Sequence, residues 1–120
     1  MANDTRVQKV GDLIKEELAQ VFLFQIKDPR LSLLTITHVR MTPDLRVARV
    51  YYSIMAEDLD KKKAIEKGLS RVKGWLRKWL ADHLTLRFVP ELEFFYDDST
   101  LYGMRIDSLL TKLKKERGEE

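Results

Sequence analysis

The stretch Asp60–Pro90 reads DKKKAIEKGLSRVKGWLRKWLADHLTLRFVP. Ile65, Leu69, Val72, Leu76 and Trp79 recur at spacings of four, three, four and three, which predicts an amphipathic helix over about 60–84 with these residues as its apolar stripe. Between Lys61 and Lys78 stand eight Lys or Arg and one acid, Glu66. At about 100° per residue, Lys63, Lys67, Arg71, Arg77 and Lys78 fall on the face opposite the stripe, with Gly74 near the middle of them. Gly68 is a second interior glycine, and each costs about 1 kcal/mol relative to alanine. Gly74 therefore predicts a break between two shorter helices, or a kink whose bare backbone admits another backbone, most simply a phosphodiester. The two readings are compatible.

Working outward, residues 5–25 read as a first helix. Thr5 to Gln8 fits a capping box, Val7, Val10, Ile14, Leu18 and Val21 keep helical spacing, and Leu13 and Phe22 widen the stripe. Gly11 predicts close packing against a neighbour. Asp28-Pro29 ends the helix in a turn. Residues 34–41 (LTITHVRM) read as a strand whose apolar parity switches, so a bulge is expected near His38. After the turn Thr42–Leu45, residues 46–55 give a second, antiparallel strand with Ala48, Val50, Tyr52 and Ile54 toward the helices.

Asp58 or Asp60 is the expected cap of the basic helix. Residues 86–96 read as a third strand, with Leu92, Phe94 and Tyr96 on the core face and Pro90 at the strand's start or on an edge. The helical crossover makes it parallel to one of the first two. Asp97, Asp98 and Ser99 read as the capping cluster of a last helix over about 100–116, followed by a frayed tail, residues 117–120. The expected architecture is a single α+β domain, residues 1–116, of order α-β-β-α(kink)α-β-α, with helices on a three-stranded mixed sheet.

Charge distribution narrows the function. Net charge is +3 over 120 residues, but residues 61–78 carry +7 and the rest −4. One cationic segment on a slightly acidic body is an electrostatic footprint for a polyanion. The absence of Cys excludes disulfides and cysteine-based zinc sites. There is no signal core and no long apolar run, so a cytoplasmic location away from membranes is expected. No phosphate-binding glycine loop, catalytic set or small-molecule site stands out, and His38 and His83 lack ligand spacing. Glu93, Asp97 and Asp98 leave open a metal-dependent nuclease, and the basic helix leaves open an acidic protein partner. Trp75, at the flank of the stripe, reads as core or as a ring that stacks on a base, and outward-facing Tyr51 is a similar candidate.

Several stretches carry a family resemblance. They are Arg6-Val7, Ile26–Leu31 (IKDPRL), Thr35–Thr37 with Val39, and Asp44-Leu45 with Ala48–Tyr51. They continue with Gly74 and Leu76-Arg77, then Leu86-Arg87 with Val89–Leu92, and Phe94 with Asp97. In this order the chain resembles the bacterial ribosome-binding factor A family over nearly its whole length. The resemblance implies a type II KH-like fold without catalysis or cofactor. It implies a factor, monomeric when free, that binds the small ribosomal subunit and assists late maturation of its rRNA near the 5′-terminal helix, above all in the cold. Such a family replaces the KH backbone-binding loop by an Ala-x-Gly kink. Here the triplet is Val72-Lys73-Gly74, in which the glycine matches and the alanine does not. The expected RNA-binding residues are Lys63, Lys67, Arg71, Lys73, Gly74, Arg77 and Lys78, with Arg87 assisting.

Overall fold

A computed structural model describes residues 2–98. The expected last helix over 100–116 and the tail lie outside the described residues. Helix α1 spans Ala2–Phe24, strand β1 Leu34–Met41, strand β2 Val47–Ile54, helix α2 Lys62–His83 and strand β3 Glu91–Tyr96. Short 3-10 turns, Leu31–Leu33 and Ala56–Lys61, precede β1 and α2.

The sheet order is β1-β2-β3, with β2 central, antiparallel to β1 and parallel to β3. This is the expected α+β, KH-like arrangement with a mixed sheet. Ala48, Val50, Tyr52 and Ile54 are all buried, as their parity predicted. The β1–β2 register shifts between Ile36 and His38, which leaves Thr37 as the extra residue. That bulge lets Leu34 and Ile36 before it, and Val39 and Met41 after it, point into the same core. The Thr37 hydroxyl donates to Asp97 Oδ2 at 2.8 Å, and Asp97 N–H donates to the Tyr52 carbonyl at 2.7 Å. The end of β3 is thereby tied across the sheet to the bulge.

Both helices cover the same face of the sheet. Helix α1 buries Ile14, Leu18, Val21 and Phe22, and α2 buries Ile65, Leu69, Leu76 and Leu80. Pro90 stands immediately before β3, an edge strand, where its missing N–H costs no ladder bond.

Four expectations are corrected. Thr5 lies inside α1, which begins at Ala2, so it is not a cap. Residues 2–4 contain neither proline nor glycine, so nothing in them stops the helix from extending past Thr5. Leu13 is half exposed and does not widen the stripe. Neither Asp58 nor Asp60 caps α2, because both lie in the 3-10 turn leading into it. The N-cap position is Lys61, without a side-chain cap bond.

The fourth correction concerns the break expected at Gly74. Helix α2 is one unbroken helix through Gly68 and Gly74. Burying four Leu or Ile side chains is worth about 6–12 kcal/mol before entropy, against about 2 kcal/mol for two glycines. The glycines are therefore carried within one helix.

The two glycines of α2 have opposite surroundings. A Cβ on Gly68 would meet Leu31 Cδ2 at 3.1 Å and Cγ at 3.3 Å. Leu31 is itself buried, so to give way it must shift within the core. The turn Asp28–Leu31 delivers it there: Leu31 N–H donates to the Asp28 carbonyl at 3.1 Å, and the Asp28 carboxylate holds Arg30 through both backbone and guanidinium. The hydrogen bonds from Arg30 lower the Asp28 pKa, with a smaller contribution from the charge of Arg71. Among the described residues, a Cβ on Gly74 would meet nothing within 4 Å. Gly68→Ala should lower the melting temperature, because overpacking of about 1–3 kcal/mol exceeds the roughly 1 kcal/mol of helix propensity gained. Gly74→Ala should raise it by the equivalent of up to about 1 kcal/mol. Thermal denaturation of both variants checks the contrast.

Tyr52 adds a pH dependence. Burial, followed by the charges of Glu66 and Tyr96, pushes its phenol up to about 12. In the unfolded chain a tyrosine ionises near pH 10, so there the unfolded state releases a proton that the folded state keeps. The corresponding stability is whole below pH 10 and is lost as pH rises toward 12. Denaturant titrations across that window should show a shallower fall for Tyr52→Phe than for the wild type.

Candidate nucleic-acid interface

The buried side of α2 fixes what its outer side presents. With Ile65, Leu69 and Leu76 directed into the core, helical geometry places Lys63, Lys67, Arg71, Gly74 and Lys78 within an arc of about 80° on the opposite face. All five are exposed. They form a ridge of four cations along one side of the molecule, with Gly74 at its centre. A glycine there leaves bare backbone that no other described residue covers, flanked by charges that attract phosphate.

Three other expected residues lie off this ridge. Lys73 is half-buried on the flank of α2 toward the sheet, where it shares a groove with Glu66, Ser70, Tyr52 and Phe94. Arg77 is turned to the β3 side. Its Nε donates to the Pro90 carbonyl at 3.2 Å and a terminal nitrogen donates to the Val89 carbonyl at 3.1 Å. Its place is therefore corrected: Arg77 holds the segment entering β3 and is not a free member of the cationic face. Spacing along the helix cannot reveal this, because the two carbonyls come from a loop twelve and thirteen residues away.

Arg87 lies in the loop between α2 and β3. It lines a cleft of about 390 Å³ together with Arg6, Leu13, Leu45 and Phe88. The guanidinium carbons of Arg46 and Arg87 each lie 5.6 Å from the centre of the exposed Phe88 ring.

The two tryptophans take different places. Trp79 is half-buried, and its indole N–H donates to Glu17 Oε1 of α1 at 2.8 Å. It packs against the core, as its place in the stripe predicts, and also bridges the two helices. Trp75 is 43% exposed. On the outer face of the sheet, Tyr51 is stacked on Phe95 at 5.5 Å and lies 6.0 Å from His38, ring centre to ring centre.

The carboxylates Glu93, Asp97 and Asp98 do not converge. Glu93 projects from the outer side of β3, while Asp97 is engaged by Thr37. Among the described residues no group of three or more His, Asp or Glu is placed to hold a metal ion. No helix among them is long and apolar enough to cross a membrane.

Arg77 and Lys78 are neighbours with different duties, which stability measurements should separate. Arg77→Ala should cost about 1–2 kcal/mol, since it removes two charge-assisted bonds to carbonyls at the start of β3. Lys78→Ala should stay within about 0.5 kcal/mol of the wild type. Urea denaturation of the two variants checks this.

Comparison with known proteins places the chain. The family model for ribosome-binding factor A matches residues 6–110. A ribosome-binding factor A from Citrifermentans bemidjiense is 45% identical over 108 residues, which cover 90% of each chain. The crystal structure of ribosome-binding factor A from Thermus thermophilus matches with a TM-score of 0.65 at 31% identity, covering 75% of this chain and 93% of that one. A Thermus thermophilus ribosome-binding factor A fitted into a cryo-EM map of a 30S complex matches with a TM-score of 0.51 at 30% identity, over 72% of this chain and 93% of that one.

Proposed function

The chain belongs to the ribosome-binding factor A family, and we propose that it binds the small ribosomal subunit during assembly, with the α2 ridge laid against rRNA phosphates. The observation that carries the reading is the bare Gly74 at the centre of a ridge of Lys63, Lys67, Arg71 and Lys78. The relative fitted into a 30S complex supports the choice of partner.

The cations supply affinity by releasing counterions, and Gly74 lets the sugar-phosphate chain approach the helix closely. Lys73 and Arg87 stand to the sides as auxiliary contacts. No bond is made or broken. The factor holds one conformation of the rRNA more tightly than its competitors, and the population shifts by the difference in affinity. The maturation step assisted is a late one, near the 5′-terminal helix of the rRNA. Its weight is greatest in the cold, where misfolded RNA rearranges slowly. The protein acts as a monomer without cofactor.

The test is co-sedimentation with purified small and large ribosomal subunits in sucrose gradients, at about 50 and 200 mM salt. Four phosphate contacts predict roughly a hundredfold loss of affinity across that range. Wild type should bind the small subunit only, and Arg71→Glu/Lys78→Glu should abolish binding. Binding that survives the double reversal would remove the ridge from the interface. Binding that persists on particles stripped of rRNA would assign the partner to protein.

A further inference from the structure

A ridge of cations holds a nucleic-acid backbone but reads no base. Beside this ridge stands a column of three rings on α2. Trp75 and Trp79 lie 5.3 Å apart at 31°, and Trp79 and His83 lie 3.8 Å apart at 10°. The inner members are pinned. Trp79 is held by Glu17, and His83 Nδ1 lies 2.9 Å from the Trp79 carbonyl, a pairing in which the ring nitrogen donates. Trp75 is the outer member, supported by Trp79 and 43% exposed.

Its position along the helix matters as much as its exposure. Trp75 follows Gly74 directly, and the ridge residues Arg71 and Lys78 lie four residues before and three after it. Residues at those spacings are neighbours on a helix surface. A phosphate seated between Arg71 and Lys78 over the bare glycine therefore has its own base within reach of the Trp75 ring.

We propose that Trp75 is a base-stacking residue: the open end of the Trp75–Trp79–His83 column takes one unpaired base of the RNA strand whose backbone lies on the ridge. This rests on the RNA reading of the ridge and adds to it a preference for single-stranded over duplex RNA, because only an unstacked base offers its face. The prebuilt column lowers the ordering cost, since Trp79 and His83 are fixed before any ligand arrives. Stacking of this kind tolerates any base, so it selects strand state and not sequence.

The test uses the full-length chain with two probes: a single-stranded oligoadenylate of about twelve nucleotides, and heparin, a polyanion without bases. Trp75→Ala should weaken oligoadenylate binding by about 5- to 100-fold and leave heparin binding within about twofold, while Trp75→Phe should restore most of the loss. The chain has two tryptophans, so Trp75→Phe leaves Trp79 as the sole reporter. Wild-type fluorescence should be quenched by oligoadenylate and not by heparin, and that quenching should be lost in Trp75→Phe. If Trp75→Ala binds oligoadenylate like the wild type, or if heparin quenches equally, the stacking proposal is wrong and the cationic ridge stands. If Arg71→Glu/Lys78→Glu binds both probes unchanged, the ridge reading itself fails, and the proposal with it.

Discussion

Burial of Ile65, Leu69, Leu76 and Leu80 against the sheet sets the rotation of α2 about its own axis. A slip of one residue turns a helix by about 100°, enough to carry a basic face from solvent into the core. The charged side chains could not follow without desolvation costs far beyond the gain of the contacts. The cationic ridge is thus defined from beneath: the same four side chains that hold α2 down aim Lys63, Lys67, Arg71 and Lys78 outward. Neutralising the ridge would leave that packing in place, whereas enlarging the packed face would disturb the ridge.

Gly68 belongs to the same constraint. It brings α2 into contact with Leu31, which the Asp28–Arg30 turn holds in position. The stretch IKDPRL is thus an anchoring device: aspartate and arginine lock the turn, and leucine fills the space under the glycine. Gly11 acts similarly on the other helix, where a Cβ would meet the Val39 carbonyl at 3.1 Å. Gly74 alone of these three has no close neighbour within the described chain. No contact among the described residues requires this costly residue, and in the reading proposed above the RNA backbone takes that place.

Much of this was legible in the sequence because it depends on period. The bulge near His38 followed from a parity switch along β1, and the core side of β2 followed from strict alternation. The cationic face followed from the helical repeat. What stayed hidden depends on contacts between distant segments. Periodicity could not tell that Arg77 bends away to two loop carbonyls, or that Trp79 reaches Glu17 some sixty residues earlier. Nor could propensity alone decide whether Gly74 breaks the helix, because the deciding quantity is the apolar area that α2 buries on both sides of it.

The family resemblance and the charge pattern converge on one surface, but they constrain different things. A cationic ridge would serve any polyanion, since counterion release is indifferent to sequence. A ridge that must distinguish one region of a large RNA needs features that respond to shape. The two proposals above supply two: a bare glycine that would reward close approach of a backbone, and a supported ring beside it that would reward an unpaired base. Each is weak alone. Arranged within two adjacent residues, Gly74 and Trp75, they demand that backbone path and base orientation be right together, and a misfolded RNA segment meets that joint demand less often than a correctly folded one.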